Sequence, residues 1–138
     1  MVITIGQNEK SKAVKDNRPV NLDIGTIKLP ITSYVSILHR VSGVAIFAGV
    51  AILLWLLEGS LESAESFLQT KALLVDNIIM KGLVWLVLCG FIYHTTAGVK
   101  HLIMDMGVGE TLEGGKKGAQ IVLVVSVVLM LLAGVWIW

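Results

Sequence analysis

Val41-Ser-Gly-Val-Ala-Ile-Phe-Ala-Gly-Val-Ala-Ile-Leu-Leu-Trp-Leu-Leu57 is a run of 17 residues without a charged side chain. A charge near the centre of a bilayer costs at least ~2.5 kcal/mol, so charge exclusion over this length is the mark of a membrane span. Two similar runs follow, Gly82 to Val99 with 18 residues and Gly118 to Trp138 with 21. As helices rising 1.5 Å per residue they extend ~26 to 32 Å, the thickness of a hydrocarbon core of about 30 Å. The first span reaches back to about Ile31, because only Arg40 interrupts the uncharged stretch from there. Both prolines, Pro19 and Pro30, precede it, so none breaks a helix. The expectation is an all-α integral membrane protein with three transmembrane helices at about residues 31–57, 80–104 and 118–138. Residues 1–30 are expected to form a cytoplasmic N-terminal segment and 31–138 a three-helix membrane anchor domain.

The composition agrees. Of 138 residues, 55% are apolar and 15% charged, and the mean hydropathy is +0.81. A soluble domain carries about a quarter charged residues. A net charge of +1 and a single cysteine exclude a nucleic-acid binder, an extracellular disulfide scaffold and a disordered chain. Cys89, inside an apolar run, reads as a core residue.

Basic residues set the orientation. Lys10, Lys12, Lys15, Arg18 and Lys28 precede the first span, and Lys100, Lys116 and Lys117 flank the second loop. The first loop has only Lys71 and Lys81, among Glu58, Glu62, Glu65 and Asp76. The positive-inside rule therefore puts the N-terminus and second loop in the cytoplasm and the C-terminus outside, with Trp136 and Trp138 at the outer interface. The basic leader and the lack of a small-residue cleavage site within Ala45 to Leu57 read as a retained span, not a signal peptide.

Against this apolar background the polar exceptions carry the information. Ser33, Ser36, His39, Arg40 and Ser42 occupy the first span. Ser36, Arg40, Gly43 and Phe47 fall at helical spacing on one stripe. A hydroxyl, a permanent cation, a gap and an aromatic ring suit a polar head group with a flat ring; the alternative is an arginine snorkelling to the interface. On the second span Gly90, His94, Gly98, His101 and Asp105 share one face. The glycines either permit close helix packing or leave clearance for a broad, flat group such as haem. A mid-span histidine is a functional residue by default, so His94 is a metal ligand or a proton relay. His94 and His101 are ~10.5 Å apart along the axis and point the same way, so they cannot ligate opposite faces of one porphyrin. The second axial ligand would come from His39 or from another chain.

At these positions the sequence resembles a known family. Arg18-Pro-Val-Asn-Leu-Asp23, Leu29-Pro-Ile-Thr-Ser-Tyr-Val-Ser-Ile-Leu-His-Arg-Val-Ser-Gly43, and Tyr93-His94 followed by Gly98-Val-Lys-His101-Leu-Ile-Met-Asp105 are similar to the cytochrome b556 anchors of succinate dehydrogenase. One departure is Lys100, where the family commonly has arginine; it keeps the charge and loses the bidentate fork. The resemblance implies a subunit of respiratory complex II in the bacterial cytoplasmic (inner) membrane, partnered by a flavoprotein, an iron–sulfur subunit and a second small anchor. It implies haem b with His94 as one axial iron ligand and the other from the partner anchor. Ser36 and Arg40 would bind quinone, while His39, Arg40 and His101 would contact haem propionates. Asp105 would deliver protons or remain a solvated carboxylate. A hydroxyl can hydrogen-bond a quinone carbonyl, and a fixed cation stabilises the negative charge that develops on reduction. The rival readings are a fumarate reductase anchor, a cofactor-free structural membrane subunit and a small transporter half. The last normally shows repeat symmetry or broken helices, and neither is evident.

Overall fold

The computed structural model describes residues 24–138. The leader residues Lys10, Lys12, Lys15 and Arg18, and the motif from Arg18 to Asp23, lie outside the described residues. After a short 3-10 turn at Ile24–Thr26 come four α-helices: α1 Ile31–Glu62, α2 Ala64–Asp76, α3 Ile78–Asp105 and α4 Leu112–Ile137. There is no strand among the described residues. Helices α1, α3 and α4 are long and apolar enough to cross a membrane.

Local chemistry sets the ends. Pro30, with φ −69° and ψ 156°, precedes α1, and its carbonyl accepts the first bond, from Ser33 N at 2.9 Å. Helix α1 continues past Leu57 through Glu58 to Glu62. Ser63 is extended, and its hydroxyl accepts from Ser66 N at 3.0 Å, capping α2. Asn77 caps α3 by accepting from Ile79 N and Met80 N at 3.0 and 3.1 Å. Gly107 and Gly109, with φ +83° and +79°, make the turn after α3 that a side chain would strain. Thr111 then caps α4, accepting from Gly114 N at 3.0 Å. Helix α2 is a short helix on the connection between the first two spans that the charge pattern did not anticipate.

The helices meet through small and medium residues. Val35, Tyr93, Ala97, Ala119 and Val122 form one buried cluster of α1, α3 and α4. Ala97 and Ala119 are fully covered, as expected where backbones approach closely. At Gly49 the approach is tighter still: a Cβ there would lie 2.8 Å from both γ-carbons of Val87. Polar tips are satisfied across the helices. Tyr93 Oη donates to the Val35 carbonyl at 2.9 Å, and Trp85 Nε1 donates to the Met130 carbonyl at 3.1 Å. Trp138 stands edge-on to Trp85, with ring centroids 6.0 Å apart. Cys89 is half-buried, not fully in the core as its apolar neighbours implied. Most large apolar side chains, among them Phe47, Val135 and Trp136, face outward. In water that would be an aggregation liability, whereas for membrane helices outward apolar faces meet lipid or other subunits.

Candidate functional site

The three histidines come together between α1 and α3. The His39 and His94 rings are stacked, with centroids 4.1 Å apart and planes 15° from parallel. His101 lies beyond His39, its ring centroid 5.3 Å away and tilted by 50°. Two imidazoles ligating one iron from opposite sides must meet it end-on. The face-to-face stack of His39 on His94 is not that arrangement, so in this conformation His39 is not the opposite-side ligand.

The orientation of His94 is set from α1. Its Nδ1 is 3.0 Å from the His39 carbonyl oxygen and 3.2 Å from Ser42 Oγ. A carbonyl can only accept, so this contact is a hydrogen bond only with the proton on Nδ1. Ser42 Oγ in turn donates to the same carbonyl at 2.8 Å, leaving its lone pairs for the imidazole N–H. The tautomer so favoured has its free lone pair on Nε2, which makes no hydrogen bond among the described residues. Gly43 makes room for the ring: a Cβ there would be 3.0 Å from His94 Cε1. Gly98 similarly faces His39: a Cβ there would lie 3.6 Å from His39 Nε2. That Nε2 is buried and has no hydrogen-bond partner among the described residues.

Ser36 and Arg40 lie together in a groove of about 390 Å³, shared with Leu29, Thr32, Ser33 and Ile37. Arg40 is exposed and Ser36 half-buried, so the groove opens outward from α1. The stripe of Ser36, Arg40, Gly43 and Phe47 is thus divided. Gly43 turns toward His94, whereas Phe47 is 84% exposed. Asp105 is exposed at the end of α3. Among the described residues no group of three or more His, Cys, Asp or Glu side chains is arranged to hold a metal ion. The three imidazoles instead form a stacked pair and one tilted neighbour.

Ser42 is the residue whose part was not evident from sequence. Its spacing three residues after His39 is that of a serine bonding back to the preceding turn, which signals the contact with the His39 carbonyl. The contact with His94, 52 positions away, has no signal in spacing.

Comparison with known proteins agrees with this architecture. Residues 14–133 match the family model "Succinate dehydrogenase/Fumarate reductase transmembrane subunit", and the chain belongs to that family. It is 41% identical over 121 residues to the succinate dehydrogenase cytochrome b556 subunit of Coxiella burnetii, covering 88% of this chain and 97% of that one. Its identity to the corresponding subunit of Paracoccus denitrificans is 31% over 121 residues, 86% and 90% of the two chains. The mitochondrial succinate dehydrogenase cytochrome b560 subunit of Bos taurus is 31% identical over 120 residues, 85% of this chain and 70% of its own. The likeness carried by Arg18–Asp23, Leu29–Gly43 and Tyr93–Asp105 thus covers most of the chain. It is a membrane subunit of an oxidoreductase complex.

Proposed function

We propose that this chain is the haem b- and quinone-binding membrane anchor of a succinate dehydrogenase, passing electrons from succinate oxidation to quinone. The observation that carries the reading is His94: a histidine inside an apolar helix, with Nδ1 tied to a backbone carbonyl and the Nε2 lone pair unused. Metal-bound histidines show this pattern, since the far N–H is held by an oxygen acceptor. When bound, haem supplies one-electron storage close to the quinone. His94 Nε2 would hold its iron from this chain, with the opposite ligand from a second small anchor. The orphaned, buried Nε2 of His39 and the imidazole of His101 are suited to carboxylate groups of the cofactor.

Ser36 and Arg40 would bind quinone in the outward-opening groove, which other subunits would complete. The Ser36 hydroxyl donates to a quinone oxygen, and Arg40 stabilises negative charge developing there. Asp105, at the end of α3, is placed to exchange protons with water. With the positive-inside orientation, this end faces the cytoplasm, where a flavoprotein and an iron–sulfur subunit would dock. Quinone reduction therefore belongs to the assembled complex; the flavin chemistry lies on another chain. The names of the relatives favour succinate oxidation over fumarate reduction.

Purification of the complex in mild detergent, with subunit identification and a reduced-minus-oxidised optical spectrum, tests the reading. It predicts co-elution of a flavoprotein, an iron–sulfur protein and a second small membrane chain, with a b-type haem band. A complete complex without the band would make the chain a structural anchor only.

A further inference from the structure

We propose that Ser42 is a positioning residue for the haem: with the His39 carbonyl it holds His94 in the Nδ1–H tautomer and tunes the iron's potential through that hydrogen bond. This rests on the reading of His94 as an axial ligand. Neutral imidazole has two tautomers, and only the one with the proton on Nδ1 leaves Nε2 able to bind iron. The choice is made by acceptors at Nδ1, and α1 provides two of them, the His39 carbonyl at 3.0 Å and Ser42 Oγ at 3.2 Å.

The serine's own geometry makes it an acceptor rather than a competing donor. Its single proton is committed to the His39 carbonyl at 2.8 Å, so the oxygen presents lone pairs to the imidazole. Ser42 is buried, so water does not replace it as an acceptor. The two acceptors lie on adjacent turns of the same helix and fix the ring's rotation as well as its proton. Gly43, beside Ser42, admits the ring close enough for both contacts. A ligating imidazole that donates its far N–H to oxygen is a more basic ligand and favours oxidised iron. Loss of one acceptor therefore raises the reduction potential.

The test uses the whole complex carrying Ser42→Ala or Ser42→Thr, with His94→Ala beside them. The readouts are haem content, midpoint potential by optical redox titration and the low-spin haem EPR signal. Expected for Ser42→Ala is retained haem with a raised potential and a shifted EPR signal, and for Ser42→Thr, which keeps the hydroxyl, values returning toward the parent. If Ser42→Ala loses haem while Ser42→Thr holds it at the parental potential, the hydroxyl is again shown to act. Parental potential and EPR signal in Ser42→Ala overturn the inference, as does equal haem loss in both serine variants, which marks a packing role. A parental spectrum and potential in His94→Ala would overturn the ligand assignment itself. Failure of the Ser42 inference is thereby distinguishable from failure of the reading beneath it.

Discussion

Gly43 and His94 are matched across the α1–α3 contact: the missing side chain of one is the space filled by the imidazole of the other. A Cβ at position 43 would stand 3.0 Å from His94 Cε1, closer than nearly all real contacts of that kind. Gly43→Ala must displace the ring by a few tenths of an ångström, against the hydrogen bonds that hold Nδ1. The alanine gains about 1 kcal/mol of helix preference over glycine, so assembly should survive. The expected result is a shifted haem spectrum in Gly43→Ala and haem loss in Gly43→Val, read by optical spectroscopy of the purified complex. Unchanged spectra in both would mean that the ring does not sit there.

Two further glycines, Gly49 and Gly82, separate packing from propensity. At Gly49 a Cβ would meet Val87 Cγ1 and Cγ2 at 2.8 Å, whereas at Gly82 it would meet nothing within 4 Å. Gly49→Ala should destabilise by about 1–3 kcal/mol through overpacking, and Gly82→Ala should stabilise by about 0.5–1 kcal/mol. Thermal unfolding of the two variant complexes in detergent should move in opposite directions. A fall of equal size in both would remove the special closeness assigned to Gly49.

The three spans were legible because a bilayer enforces its rule at every residue: Val41–Leu57, Gly82–Val99 and Gly118–Trp138 exclude charge. Helix α2 was not, because charge marks only where the apolar run stops: α1 runs on through Glu58 to Glu62, and beyond the extended Ser63 the chain is helical again with Glu65 in its first turn. Helical periodicity put Ser36, Arg40, Gly43 and Phe47 on one stripe, but a stripe has two edges. Only tertiary contact shows that Gly43 turns inward to His94 while Phe47 turns out. His94 stood out because an intramembrane histidine is costly. Ser42 was one of the polar exceptions, but its part was not readable, since serine satisfies itself on its own helix and its second contact exists only once α3 is in place.

For the groove on α1, Ser36→Ala and Arg40→Leu should spare succinate oxidation by an artificial acceptor at the flavin and lower quinone reduction. Losing a hydrogen bond to an oxygen that gains charge costs about 1.5–3 kcal/mol, roughly ten- to a hundred-fold in rate if it acts in the transition state. Arg40→Lys keeps the charge and loses the planar fork, so impairment there would show that geometry matters. The measurement is the ratio of the two activities. Equal loss of both in all three variants would point to failed assembly and withdraw the quinone assignment.

The bond from Tyr93 Oη to the Val35 carbonyl ties α3 to α1 one residue before His94. Tyr93→Phe keeps the ring in the buried cluster and removes only the donor. The expected loss is about 0.5–1.5 kcal/mol of stability, with the haem spectrum retained. Thermal unfolding and an optical spectrum of the same preparation check both halves. Haem loss at unchanged stability would mean that the hydroxyl serves the cofactor instead.

Whether His94 binds haem iron through Nε2 is decided by optical redox titration of a complex carrying His94→Ala. His94 carries the one imidazole near the middle of α3, so the variant should lose the parental spectrum and shift in midpoint potential, even where the complex assembles around haem held by its other contacts. A parental spectrum at the parental potential would contradict this ligation, because the iron would then not be held by His94.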